Sequence, residues 1–168
     1  MSLFRRDISV EVEEDGEGAV LLRGRLRDRR FGEDLHVLEA EMRVSALDGA
    51  ILGIDATMPV VPMPECREAL EAVRDLSGEV IQPGFSDRVK GVVGSKRGCT
   101  HLASLIMNMG NASVQGRAAY ARKNLPEREA ARHMEEVSEQ LGLLDGRVHR
   151  GDAVVGPSRI SSARVVQG

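Results

Sequence analysis

The sequence predicts an α+β protein: an antiparallel sheet of about four strands followed by helices packed on one of its faces. Three observations carry this. Apolar and polar residues alternate in segments up to Val60, helical spacing replaces the alternation after the proline-punctuated stretch PVVPMPEC, and crossover βαβ units are absent.

The first strand is read from Ile8 to about Glu14, with Ile8, Val10 and Val12 alternating with Ser9, Glu11 and Glu13. The turn EEDGEG leads into AVLLRGRLRDRR, where Val20, Leu22 and Leu26 share one face and Arg23, Arg25 and Arg27 form a solvated row on the other. In LHVLEAEMRVSA the inner set is Leu38, Ala40, Met42 and Val44. The LDG signal then marks a hairpin into AILGIDATMPV, completing a meander.

Beyond Pro59, ECREALEAVRDLSG spaces Leu70, Val73 and Leu76 as a helix ending at Gly78, and FSDRVKGVVG is a short second helix. A third opens at GCTHLASLIMNMG, with Leu102, Leu105, Ile106 and Met109 on its apolar side; Gly110 and Gly116 weaken its continuation. A last helix starts at Pro126, with Glu127 and Glu129 in its first turn and a stripe of Ala130, Met134, Val137, Leu141 and Leu144. Residues 1–124 are expected to form the core domain, and 125–168 a C-terminal helix and tail. His133 and His149 read as surface residues.

Composition narrows the function classes. The chain has 168 residues, a formal charge of -3 and only 2% aromatic residues, so it offers neither the basic groove nor the stacking rings of a single-strand binder, and nucleic acid is not expected as a partner. The start reads as no secretion signal, and no segment is long and apolar enough for a bilayer, so neither a membrane partner nor secretion is expected. A cytoplasmic location follows as the expectation, in which the two cysteines are free thiols or ligands rather than a permanent disulfide.

Those cysteines open helices. Cys66 sits in the first turn of the first helix and Cys99 at the start of the third, and a helix N-terminus favours the thiolate, as do Lys96 and Arg97 beside Cys99. Space-filling in the core is the plain alternative. His101 follows Cys99 by two residues, and His36 stands near the start of the third strand beside Asp34. Together Cys66, Cys99, His101, His36 and Asp34 suffice for a tetrahedral zinc or a mixed-ligand cluster, although their spacing matches no compact metal motif. GVVGSKRG lacks the residue order of a P-loop. Its end, Lys96, Arg97 and Gly98 with the amides of residues 98–101, is a candidate anion site, against which stands an ordinary solvated turn.

The motifs DLHVLEAEMRV, PMPEC, LSGEVIQPGF and GCTHLASLI, in that order from about Arg5 to Met109, resemble a bacterial family of domains of unknown function marked by GCTHL. The resemblance carries over His36, Cys66, Cys99 and His101 and implies no activity. The order of elements is also similar to the U-type scaffold on which iron-sulfur clusters are assembled. That family uses three cysteines, an aspartate and a histidine directly before the last cysteine; here the order is Cys99, Thr100, His101, and the first cysteine has no counterpart.

Three functions are therefore expected in turn. The leading one is binding of zinc or an iron-sulfur cluster by Cys66, Cys99 and histidine, with a position left open for a substrate, a sulfur or metal donor, or a protein partner. The second is a thiol enzyme or carrier with Cys99 as nucleophile and His101 or His36 as base. The third is an interaction module without chemistry.

Overall fold

The computed structural model describes residues 2–95 and 98–140. Strands β1 (Phe4–Glu14), β2 (Ala19–Arg30), β3 (Glu33–Ser45) and β4 (Ile51–Val60) form an antiparallel meander in the order β1-β2-β3-β4. After them come α1 (Ala69–Ala72), flanked by 3-10 turns at Pro64–Glu68 and Val73–Leu76, then α2 (Phe85–Val93), α3 (Thr100–Asn124) and α4 (Glu127–Gln140). The expected α+β class and sheet are what the molecule has.

The period of two decides which way the sheet faces. Val20, Leu22 and Leu26 of β2, Leu38, Ala40, Met42 and Val44 of β3, and Ile54, Ala56 and Met58 of β4 are buried under the helices. On the opposite face Arg23 pairs with Glu13 and Glu41, Arg25 with Glu39, and Arg27 with Asp34, all partly exposed. Each buried leucine or isoleucine contributes about 1.5–3 kcal/mol, against at most about 1 kcal/mol for an exposed ion pair, so the apolar set fixes the register. β1 begins at Phe4 rather than Ile8. Its extra residues lie opposite Arg27 to Arg30, and ion pairs Arg6–Asp28 and Arg29–Asp7 hold them there.

Two helical expectations are corrected. The segment after Pro64 is not one helix but a short α turn between two 3-10 turns, although Ala69, Val73 and Leu76 are buried at helical spacing. Its end is drawn onto β4, with the Gly78 amide donating to the Ile51 carbonyl and the Ile51 amide to Glu79, and 3-10 geometry is common at such short helix ends. The third helix, α3, runs 25 residues without a break at Gly110 or Gly116. Both glycines sit where another side chain approaches the helix: a Cβ on Gly110 would lie 2.7 Å from Phe85 Cε1, and one on Gly116 would collide with Val12.

Close approach outweighs propensity at these positions. Gly110→Ala would gain about 1 kcal/mol of helix propensity, but forcing the Phe85 ring aside costs about 1–3 kcal/mol. Net destabilisation of about 1 kcal/mol is expected by these figures in urea unfolding. An unfolding midpoint above that of the parent protein would contradict the packing argument.

The surface reading of His133 is also corrected. It lies on the buried side of α4 with Ala130 and Val137, three and four positions away, because the stripe that begins at Ala130 passes through it. Leu141, Leu144, His149 and the tail lie outside the described residues. Among the described residues, no helix is long and apolar enough to cross a membrane.

Candidate metal centre

The apolar stripes of the sheet's inner face end in polar residues. On β2 the inner positions run Val20, Leu22, Gly24, Leu26 and then Asp28; on β3 His36 precedes Leu38 on that face; on β1 Arg6 precedes Ile8. Register brings them into one row, because Asp28 lies opposite Arg6 on one side and His36 on the other. A bulge follows directly, between Asp28 and Arg29, where the ladder shifts from His36 to Asp34.

His101 enters this row from above. Gly98 crosses so close to the end of α2 that a Cβ would collide with the Val93 carbonyl, and the Cys99 amide donates to that same carbonyl at 2.8 Å. Cys99 is thereby the N-cap residue of α3, and His101 occupies the helix's first turn directly over Asp28.

The resulting cluster is tight. Asp28 Oδ2 stands 3.2 Å from His36 Nδ1 and 3.7 Å from His101 Nε2, and the imidazole rings stack with centroids 3.8 Å apart. One donor atom from each of the three residues lies within 4.8 Å of the others. Arg6 grips both carboxylate oxygens, Nε donating to Oδ1 at 2.7 Å and Nη2 to Oδ2 at 2.8 Å. The Asp28 side chain is 1% exposed, His36 7% and His101 28%, so approach is from the His101 side. His36 Nδ1 is buried without a hydrogen-bond partner among the described residues, despite its closeness to Oδ2.

Electrostatics set the protonation states. The Arg6 hydrogen bonds outweigh burial and hold the Asp28 carboxyl below its usual range. Burial pushes His36 down from 6.5 against the pull of Asp28, helped by Arg6 and Arg30; burial, His36 and Arg6 do the same to His101. Both imidazoles are thus biased to the neutral form, which is the form that ligates a metal.

The sequence-predicted residues divide. His36 and His101 come together. Cys99, buried, lies on the other side of His101, with Sγ 4.0 Å from Nδ1, while Cys66 is half-buried at the edge of the core. Asp34 does not join them: it projects from the opposite sheet face, where Arg27 donates to it at 2.7 and 2.9 Å. The helix-terminus argument for a thiolate fails at Cys66, whose thiol is pushed up by burial and by the neighbouring Cys99. Of the candidate anion site, Lys96 and Arg97 lie outside the described residues, and the Gly98 amide is already spent on the Ser95 carbonyl at 2.7 Å. Asp28 and Arg6 were missed. Their signal is parity: each is a charged residue on the inner side of an otherwise apolar alternation.

A family described as "Protein of unknown function (DUF2889)" matches residues 4–115. The chain belongs to that family. The DUF2889 match runs from the first residue of β1 into α3, so it encloses Arg6, Asp28, His36, Cys66, Cys99 and His101. No curated protein and no solved structure matches the chain.

The histidines also fix an acid limit. His36, His101 and His133 all have pKa values lowered from 6.5, chiefly by burial. Above that value both folded and unfolded chains hold them neutral; below it the unfolded chain takes up protons that the folded one resists. Stability of the chelated protein should therefore be full above pH 6.5 and fall as pH drops below it, by up to about 1.4 kcal/mol per unit for each histidine. Urea unfolding at a series of pH values from 8 to 5 checks this; a flat profile would contradict the burial of neutral imidazoles.

Proposed function

We propose that this DUF2889 protein binds one divalent metal ion of the zinc type through Asp28, His36 and His101. The observation that supports this most is the convergence of one possible donor atom from each of Asp28, His36 and His101 within 4.8 Å, with His36 Nδ1 buried 3.2 Å from Asp28 Oδ2. Donors about 2.0–2.2 Å from a tetrahedral ion stand about 3.4 Å apart. The separations of 3.2 and 3.7 Å bracket that spacing. Arg6 acts on the carboxylate as an outer partner that orients a ligand.

Three protein ligands leave a coordination position for water or substrate on the His101 side, a pattern that suits metal-assisted hydrolysis or carriage better than a closed structural site. The likeness in element order to iron-sulfur scaffolds and the GCTHL motif belong to the same region. Two imidazoles and a carboxylate nevertheless favour a single ion over a cluster, which is held mainly by thiolates.

Zinc titration of the reduced, chelated full-length protein tests the reading by calorimetry. One equivalent should bind, and His36→Gln should abolish binding while the protein remains folded. No binding to folded parent protein, or equal binding to the variant, would defeat it.

One contact favours a second reading. Cys99 Sγ, His101 and Asp28 form a thiol-imidazole-carboxylate chain through the two ring nitrogens, the relation in which a histidine activates a cysteine nucleophile. Cys99 is 3% exposed, so this reading requires an opening that admits substrate. Iodoacetamide alkylating Cys99 in metal-free protein no faster than a free thiol at pH 6 to 7 would eliminate it.

A further inference from the structure

Strand β1 is one edge of the sheet: it pairs with β2, and among the described residues no strand pairs with its other side. A row of unpaired amides and carbonyls is a template for another strand. The usual devices against such pairing are missing, since FRRDISVEVEE contains no proline, lysine or glycine and its ladder with β2 runs from Phe4 to Glu14 without a bulge. Part of its inner face is also uncovered. α3 closes over Val12 at Gly116, but toward the start of the strand Phe4 is 50% and Ile8 36% exposed.

We infer that β1 pairs antiparallel with the β1 of a second copy of this chain, about a two-fold axis through Ile8, so that the two sheets become one. This dimer is independent of the metal reading.

Parity and charge choose the register. Inner residues of one copy must lie opposite inner residues of the other, because a slip by one residue would set the helix-covered face of one sheet beside the open face of its partner. The axis therefore passes through a residue and not between two. An axis at Arg6 or Asp7 would oppose that charge to its own copy; at Ser9 it would set Asp7 against Glu11 twice, and at Val10 Asp7 against Glu13 twice. At Ile8 no like charges meet. Arg5 then stands across from Glu11 and Phe4 across from Val12, each twice, while Ile8 covers its own copy.

The charged groups are available for this. Glu11 forms no ion pair among the described residues, because Arg23, its neighbour on β2, is taken by Glu13 and Glu41. Arg5 is 63% exposed, and its present partner Asp7 is also held by Arg29, so Arg5 can turn to Glu11 without stranding a carboxylate. A seam one strand wide is at the small end of specific interfaces, which makes the dimer a reversible one.

Sedimentation velocity of the reduced, chelated full-length protein over a wide range of concentration tests the inference. The parent should pass from monomer to dimer as concentration rises, more readily at low salt. Arg5→Glu and Glu11→Arg should each weaken the dimer about tenfold or more, since two attractive contacts become two repulsive ones, and the double variant should regain the parental affinity. Both positions are exposed, so the monomer should fold as before. Amide hydrogen exchange gives a second reading: the outward amides of β1 should exchange more slowly in the parent than in Arg5→Glu at the same high concentration. A monomer at every concentration would overturn the inference, with slow β1 exchange then pointing to another segment of the same chain on this edge. So would a dimer indifferent to the single variants, or one that the double variant fails to restore.

Discussion

Asp28→Asn is expected to cost the fold about 2–3 kcal/mol and to eliminate zinc binding. Removing one member of a fully buried ion pair costs about 3–5 kcal/mol, because the remaining charge is stranded. Here the remaining charge is Arg6, whose side chain is 38% exposed and can turn toward water, which lowers the penalty. Asparagine keeps the shape but supplies no anionic oxygen to a metal. Arg6→Ala provides the contrast: it strands a buried carboxylate that a divalent cation can neutralise. Added zinc should therefore raise the Tm of Arg6→Ala and leave that of Asp28→Asn unmoved. Equal responses of the two variants would mean that Asp28 is a structural partner of Arg6 and no ligand.

Arg117→Ala should be more damaging to stability, by about 3–5 kcal/mol, without altering zinc affinity in whatever folded protein remains. Arg117 is a fully buried side chain on α3 whose Nε donates to the Ala46 carbonyl at 3.1 Å and Nη2 to Leu47 at 2.9 Å. It ties the long helix to the β3–β4 turn. The turn is shaped to receive it: Asp48 accepts from the Ala50 amide, and Gly49, at φ 78, would carry any Cβ to within 2.5 Å of Arg117 Nη1. Truncation would leave a cavity and two carbonyls without their donors. Urea unfolding measures the loss; a change under 1 kcal/mol would show that water replaces the guanidinium at little cost.

The sheet was legible because long strands with one dry face impose a period of two, and this chain keeps it over four strands. The helices were legible in position but less so in continuity. Gly110 and Gly116 read as interruptions since propensity is local, whereas the contacts with Phe85 and Val12 that make glycine necessary come from elements distant in sequence. His133 was misplaced for a related reason: an ionisable residue within an apolar stripe was assigned by its chemistry and not by its phase.

The centre shows both limits. His36, His101 and Cys99 could be singled out as unusual residue types in otherwise ordinary elements. Asp34 is near His36 in sequence and, two residues away on an alternating strand, shares its face by parity; the bulge at Asp28/Arg29 is what turns Asp34 to the outer face, beside Arg27. Asp28 hid among the arginines of RLRDRR, where charge is expected. Counting its position from Leu22 and Leu26 would have placed it inside. Arg6 required the register of β1 on β2, which alternation alone does not supply.

The electronic spectrum of the cobalt-substituted, reduced protein tests the central claim most directly, because cobalt(II) reports both the geometry and the donor atoms of a zinc-type site. The account expects one equivalent to bind with visible ligand-field bands and no intense thiolate-to-cobalt charge transfer, and expects that spectrum to vanish in Asp28→Asn. A strong sulfur charge-transfer band, or a spectrum unchanged by Asp28→Asn, would contradict a centre built from Asp28, His36 and His101.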